Sequence, residues 1–258
     1  DVSAPLAEFR RRTGAAWIFT SATLTVDGQF GHFAKQLGAD TPRTLLEQSP
    51  FDYATQALAW LPADLPDPAQ RDYVPRLLQT VLPVLQASRG RAFLLFTSHR
   101  ALREAADWLA VRAEFPLFVQ GSQPKNRLLE AFRQSGNGLL LGAASFWEGV
   151  DVVGTALSVV VIDKLPFAAP DDPVLEARLA SIRAAGGNPF VDWQIPAAVI
   201  ALKQGVGRLI RSETDRGLLV LCDPRLQLRG YGRSFLRSLP PFPLTRDPAM
   251  AMQFVATC

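Results

Sequence analysis

The chain has 258 residues, of which 48% are hydrophobic and 20% are charged, so it can bury one large core or two smaller ones and is not an intrinsically disordered chain. No apolar run approaches the roughly 20 residues that span a bilayer, and two cysteines are too few for a disulfide framework, a zinc site or an iron–sulfur cluster. The formal charge of +3 fits a polyanionic partner, and we expect a cytoplasmic protein with no membrane partner and no metal ligands of its own.

Strand and helix patterns alternate along the chain. The basic triplet at Arg10 to Arg12 is typical of a helix end, where cations offset the carbonyl dipole. Short apolar runs predict buried parallel strands at Trp17–Ser21, Leu94–Thr97, Leu117–Gln120, Leu139–Gly142, Leu157–Ile162 and Leu218–Cys222. Apolar positions at helical spacing predict helices at Pro75–Ser88, Ala101–Arg112, Pro124–Gln134, Pro173–Ala185 and Ile195–Ile210. This alternation predicts an α/β fold, a three-layer sandwich with a mostly parallel sheet.

The most specific string is Q-x-x-G-R-x-x-R, from Gln204 to Arg211, at the end of the last of these helices. Arg208 and Arg211 are three residues apart, so on a helix they share one face and reach one anion together. Such guanidinium groups suit an arginine finger, which stabilises a phosphoryl group during transfer. Gln204 would order the water or phosphate nearby, and Gly207 would allow tight helix packing. The alternative interpretation is a solvated helix face.

Four further strings lie at or shortly after the ends of predicted strands, and the last of them is typical of a turn. They are T-S-A-T-L at 20–24, T-S at 97–98, S-F-W-E-G-V-D at 145–151 and L-P-F at 165–167. Together with the arginine string they resemble motifs III to VI of superfamily 2 helicases of the bacterial DinG/YoaA branch, relatives of XPD. The resemblance runs from about residue 17 to about residue 243. It implies that residues 69–258 form the second RecA-like motor domain of an ATP-dependent DNA helicase moving 5′ to 3′, with residues 1–68 as a motif III segment leading into it.

The resemblance also assigns site residues. Besides the two arginines and Gln204, the residues expected at the nucleotide are Glu148, Gly149, Asp151 and Gly207. A glycine allows the backbone to approach a ligand closely, and a carboxylate orients a hydroxyl or an arginine. Those expected to contact the DNA backbone are Thr97, Ser98, Ser145 and Lys164. Two alternatives stay open. Thr97 and Ser98 equally fit an ordinary helix N-cap, and Trp147 fits the core better than a base-stacking position.

The missing motifs matter as much as those present. The sequence has no G-x-x-x-x-G-K-[S/T] phosphate loop and no Asp-Glu pair to hold Mg²⁺. ATP and Mg²⁺ would therefore be completed by a first motor domain outside this chain, where any iron–sulfur cluster would also lie. We expect this chain to be a C-terminal piece of a longer helicase and to be inactive alone. The expected partners are single-stranded DNA and the first motor domain. A further candidate partner is the chi subunit of a clamp loader. The rival is a non-catalytic protein- or DNA-binding module.

Overall fold

The computed structural model describes residues 2–147, 152, 156–169 and 172–258. The chain forms two compact units. Unit 1 comprises Asp1–Ser49, Pro166–Lys203 and Ser234–Ser238, and unit 2 comprises Pro50–Leu165, Gln204–Arg233 and Leu239–Cys258. Within the described ranges, no helix combines the length and the apolar character needed to cross a membrane.

Unit 2 contains a seven-stranded parallel sheet. In chain order its strands are β1 (Ala57–Trp60), β2 (Ala92–Phe96), β3 (Leu117–Val119), β4 (Leu139–Ala143), β5 (Val159–Ile162), β6 (Gly217–Leu221) and β7 (Leu244–Thr245). Their spatial order is β3-β4-β2-β5-β6-β1-β7, and every pair is parallel. Residues of β1, β2, β4, β5 and β6 are buried throughout, which explains their continuous apolar sequences.

Helices of unit 2 cover this sheet through apolar stripes. In chain order, the helices of the two units are α1 (Ser3–Thr13), α2 (Gly31–Gln36), α3 (Tyr53–Gln56), α4 (Tyr73–Ala87), α5 (His99–Ala110), α6 (Lys125–Ser135), α7 (Pro173–Ala184), α8 (Ile195–Val206), α9 (Arg225–Leu228), α10 (Gly232–Ser238) and α11 (Pro248–Val255). In unit 2, α4 buries Leu77, Leu78, Val81 and Leu85, and α5 buries Leu102 and Leu109, all in one core with the strands. The predicted α/β class with a parallel, RecA-like sheet is confirmed.

Over its described residues, unit 1 consists of helices and of segments without regular secondary structure, apart from one isolated bridge between Val26 and Gln29. The Arg10 guanidinium donates to the carbonyls of Leu37 and Gly38 at 2.5 Å each, which ties α1 to the end of α2. Lys203 Nζ donates to the Thr25 carbonyl at 2.9 Å. No residue of α1 or α2 is buried, in contrast to the helices of unit 2.

One predicted strand is absent from the structure, and one predicted helix is shorter than expected. Trp17–Ser21 has no regular secondary structure and pairs with no strand in the described part of the chain, because an apolar run becomes a strand only when a neighbour accepts its backbone hydrogen bonds. Trp17 instead packs edge-on against Phe9 of α1, and Ile18 is 86% exposed. The last predicted helix, Ile195–Ile210, ends four residues early, at Val206. Strands β1 and β7 were not predicted.

Candidate nucleotide and nucleic-acid site

All strands of the sheet are parallel, so their carboxyl ends meet at one edge, which we call the carboxyl edge. The residues that follow β2, β4, β5 and β6 there include Thr97, Ser145, Asp163 and Asp223. Predicted DNA contacts therefore lie on the edge where ligands of open α/β sheets bind. The site is built from the turns along this edge.

Asp163 fixes the turn that carries Thr97. Its carboxylate is 1% exposed and accepts from the Thr97 backbone N–H at 3.0 Å, the Thr97 hydroxyl at 3.3 Å and the Lys164 backbone N–H at 2.7 Å. Burial raises the pKa of Asp163 to about 7, although the Lys164 charge and the hydrogen bonds from Thr97 and Lys164 oppose this shift. The carboxylate therefore positions the Thr97 turn from beneath.

Ser98 is the N-cap of α5. Its side-chain oxygen accepts from the Ala101 backbone N–H at 3.2 Å, and its backbone is extended, as N-cap residues are. The N-cap alternative for this residue is thus confirmed. The cap fixes the hydroxyl at the carboxyl edge, beside the exposed His99.

A second carboxylate braces the edge between β5 and β6. Asp223 accepts from the Leu165 backbone N–H at 2.7 Å and from the Arg225 guanidinium at 2.6 Å in a bidentate pair. The hydrogen bond to Asp223 raises the pKa of Arg225. Tyr73 of α4 donates its hydroxyl to the carbonyls of Asp163 and Cys222, and burial raises the pKa of that hydroxyl well above its usual value. Sequence reasoning missed this group because an aspartate after a strand is common.

Trp147 is buried at 6% exposure, which confirms the core interpretation. Its indole Nε1 donates to the Phe96 carbonyl at 3.0 Å, and its ring packs so closely on Gly205 of α8 that a Cβ there would lie 2.9 Å from it. The Arg208 Nη2 donates to the Trp147 carbonyl at 3.2 Å. The buried indole thus joins the Thr97 turn to helix α8, and the backbone carbonyl of the same residue holds Arg208.

The sequence suggests that the two arginines share one helical face, but in the structure they do not. Because α8 ends at Val206, Arg208 lies in the turn that follows, where its backbone N–H donates to the Gly205 carbonyl at 3.2 Å. Arg211 lies beyond that turn, and its backbone N–H donates to the Asp215 carboxylate at 2.8 Å. The buried residues Leu209 and Ile210 separate the two arginines and anchor the turn.

Other predicted site residues have different placements. Gln204 is half-buried in the last turn of α8. Gly207 is exposed after the helix, so the glycine that permits tight packing is Gly205. Lys164 is half-buried directly after Asp163. The predicted nucleotide residues Glu148, Gly149 and Asp151 lie outside the described residues.

Ser145 is exposed in a short 3-10 turn, Ala144–Phe146, after β4. Two residues that sequence reasoning missed contact it. Gln120 Nε2 lies 3.4 Å from the Ser145 hydroxyl oxygen, and Lys125 Nζ donates to the Ser145 carbonyl at 2.9 Å. Within the described ranges, no three His, Cys, Asp or Glu side chains are grouped so as to hold a metal ion.

A family model described as the helicase C-terminal domain matches residues 81–242. The chain belongs to this family. It is 48% identical over 256 residues to the ATP-dependent DNA helicase YoaA of Escherichia coli (strain K12), covering 99% of this chain and 40% of that protein. It is 40% identical over 232 residues to the ATP-dependent helicase DinG of Mycobacterium tuberculosis (strain H37Rv), covering 88% of this chain and 35% of that protein.

The solved structures agree with the fold. An apo XPD structure matches with a TM-score of 0.64 at 16% identity, covering 84% of this chain and 46% of that one. Saccharomyces cerevisiae Dbp5 bound to RNA and ADP BeF3 matches with a TM-score of 0.52 at 14% identity, covering 88% of this chain and 51% of that one. The predicted resemblance to DinG/YoaA-type helicases is confirmed. The chain spans about two fifths of the length of its curated relatives.

Proposed function

We propose that this chain is the C-terminal motor half of an ATP-dependent DNA helicase, which supplies Arg208 and Arg211 to ATP bound by a first motor domain. The observation that carries the proposal is the hydrogen bond from Arg208 to the Trp147 carbonyl at the carboxyl edge. It fixes the guanidinium of Arg208, in the motif VI string, against Trp147 of the motif V string. A fixed guanidinium is what stabilisation of a transferring phosphoryl group requires.

The DNA side of the proposal concerns the neighbouring turns. The residues that would contact the backbone of a single strand are Thr97, Ser98, Ser145 and Lys164. Small hydroxyls, backbone N–H groups and an ammonium all donate hydrogen bonds to phosphate oxygens. Few such contacts give weak, sequence-tolerant binding that falls steeply with salt. Movement along DNA would run 5′ to 3′, as in the family that the sequence resembles, and the protein would act in the bacterial cytoplasm.

Trp147 offers a physical link between the two ligands. It holds Arg208 through its carbonyl and the Thr97 turn through its indole N–H, and it follows Ser145 by two residues. A shift of the arginine turn would therefore be transmitted to both DNA-contacting turns through the backbone and side chain of this one residue. Such coupling of nucleotide state to DNA grip is what a translocating motor needs.

The cofactor is ATP with Mg²⁺. From this chain, Arg208, Arg211, Gln204 and Gly207 would face the nucleotide together with Glu148, Gly149 and Asp151. When bound, ATP supplies the free energy for translocation. The described residues offer no metal cluster, so Mg²⁺ and any iron–sulfur cluster would be held by another part of the parent protein. Unlike a complete motor, the chain alone should show no ATP turnover above background and no detectable ATP binding.

The test is the DNA-stimulated ATPase of the full-length parent. Arg208→Ala and Arg211→Ala should each lower turnover by about a thousandfold or more while DNA binding and the thermal melt stay close to wild type. Lysine at either position should rescue poorly, because an ammonium lacks the planar fork. The matched control is Arg103→Ala, an exposed arginine on α5, which should leave turnover unchanged.

Near-normal turnover in both alanine variants, or loss only through unfolding, would overturn the finger assignment. A parent gene without a phosphate loop would instead favour the non-catalytic binding module, such as one that docks a chi subunit. Turnover by the isolated chain that survives purification, and is lost on Arg208→Ala, would show that the ATP site is not split.

A further inference from the structure

Three polar residues meet beside the ends of β3 and β4, and only Ser145 among them belongs to a sequence motif. They are Gln120 directly after β3, Lys125 at the start of α6 and Ser145 in the turn after β4. Gln120 and Ser145 are 25 residues apart in the sequence, and each belongs to a different turn. Their convergence is therefore a product of the fold.

The hydrogen bonds fix which way the Gln120 amide group points. The Ala143 backbone N–H donates to Gln120 Oε1 at 2.6 Å, and because a backbone N–H can only donate, the amide oxygen must face it. The NH₂ group then faces Ser145, with Nε2 lying 3.4 Å from the hydroxyl oxygen. Since Gln120 offers donors and the Ser145 hydroxyl keeps its own hydrogen, both outward groups suit an anionic oxygen.

Lys125 fixes the same turn from the other side. Its ammonium donates to the Ser145 carbonyl at 2.9 Å and lies 5.1 Å from the centre of the Phe146 ring. The positive charge is thus placed next to Ser145. Charge and donors together select an anion.

The location favours a chain of phosphates over a small ion. In the sheet β4 lies between β3 and β2, so the Gln120, Ser145 and Thr97 turns follow three adjacent strands. Adjacent strands are about 4.8 Å apart, so these turns span roughly 10 Å along the carboxyl edge. That distance exceeds the spacing of charges along one nucleic-acid strand, about 3.4 Å in a duplex.

We infer that Gln120 donates its amide N–H to a backbone phosphate of the single strand, and that Lys125 is a positioning residue that holds the Ser145 turn for the same contact. This inference rests on the proposed function, because it extends the DNA path from the Thr97 and Ser145 turns to the end of β3.

The test uses the full chain and a labelled thymidine oligonucleotide, with affinity measured by fluorescence anisotropy at low salt. Gln120→Glu keeps an oxygen for the Ala143 N–H but replaces the outward NH₂ by a carboxylate oxygen. Affinity should fall by about tenfold or more. The matched control is Gln134→Glu, the same change at the exposed far end of α6, which should leave affinity within about twofold.

Lys125 is tested by loss and rescue. Lys125→Met should weaken binding severalfold, and Lys125→Arg should restore it, because a guanidinium can donate to the same carbonyl. Competition with inorganic phosphate at constant ionic strength separates the two ligand sources. A DNA path predicts little displacement of the oligonucleotide, whereas a small-anion site predicts displacement and overturns the inference.

The outcomes are distinguishable. If wild type binds and Gln120→Glu binds equally well at an unchanged melting temperature, the inference fails and the proposed function stands. If Gln120→Glu is less stable than wild type, the affinity of Gln120→Ala is measured well below the melting temperature of that variant. Gln120→Ala must then also bind more weakly than wild type, or the inference fails. If wild type does not bind at low salt, both fail.

Discussion

The two sides of the carboxyl edge use polar residues in opposite ways. On the β5 and β6 side, Asp163 and Asp223 are buried, and their carboxylates accept hydrogen bonds from backbone N–H groups and from Arg225. On the β3 and β4 side, Ser145 is exposed and Gln120 is half-buried. The first side stabilises the fold and the second faces solvent. Position at a sheet edge alone therefore does not make a residue part of a binding site.

The largest expected effect concerns Asp223. Asp223→Ala would leave the Arg225 guanidinium and the buried Leu165 N–H without their acceptor, so the free energy of unfolding should fall by about 3–5 kcal/mol. Ser145→Ala, on the exposed side, should change it by less than about 0.5 kcal/mol. Urea denaturation measures both. Equal losses would remove the contrast between the two sides.

The pH dependence of stability should come partly from Asp163. Its pKa in the folded chain is about 7 and the usual pKa of an aspartate is 3.8, so the folded state keeps this proton to higher pH than the unfolded state. Its contribution is therefore complete below about pH 4 and is lost as pH rises to about 7, by at most roughly 4 kcal/mol.

Asp163→Asn should remove that slope. The amide oxygen can still accept from the Thr97 and Lys164 N–H groups, so the variant should fold normally and should gain stability relative to wild type above pH 7. Thermal melts from pH 4 to pH 8 measure the slope. An identical slope in wild type and variant would contradict the assignment of this proton to Asp163.

Gly205→Ala tests the contact between Trp147 and Gly205, with a smaller expected loss of stability than the changes at Asp223 and Asp163. Gly205→Ala would place a Cβ 2.9 Å from the indole ring, so we expect a loss of about 1–3 kcal/mol in the free energy of unfolding. Gly230→Ala, where the Cβ meets no atom within 4 Å, is the control and should be nearly neutral. In the full-length parent, Gly205→Ala should also lower ATP turnover, since Trp147 holds Arg208. Unchanged turnover would argue against Trp147 as the link.

The smallest effect is at the N-cap. Ser98→Ala should cost about 1 kcal/mol, because the Ala101 N–H loses its side-chain acceptor, whereas Ser98→Asp should keep the cap and the stability. Chemical denaturation of both variants checks this. A similar loss in both would show that the aspartate does not replace the cap.

The sequence predicted the sheet and its main helices because buried parallel strands carry continuous apolar runs, as in Leu139–Gly142 and Leu218–Cys222. It failed where pairing or packing partners decide. Trp17–Ser21 has the same apolar character but has no neighbouring strand in the described part of the chain. The two-residue β7 is too short to leave a pattern.

For the site, the motifs predicted that the candidate residues lie at the carboxyl edge, but not which side chains contact one another there. Spacing alone favoured a helix through Arg208 and Arg211, whereas the buried Leu209 and Ile210 lie in the turn after Val206. Gln120 and Lys125 carry no motif, and only the fold brings them to Ser145. Asp163 directly follows β5 and Asp223 lies two residues after the end of β6, but aspartates are common at such positions, so the sequence alone does not distinguish these two.

Ser98→Asp is the sharpest test of whether the turns at the carboxyl edge bind the backbone of a single strand. This change keeps the N-cap while placing a negative charge against the proposed phosphate. Affinity for a thymidine oligonucleotide should be measured over a range of salt for wild type and Ser98→Asp at matched thermal stability. We expect wild-type affinity to fall steeply with salt and Ser98→Asp to bind about tenfold more weakly or worse at low salt. Binding that ignores salt, or equal affinity of the two proteins, would contradict it.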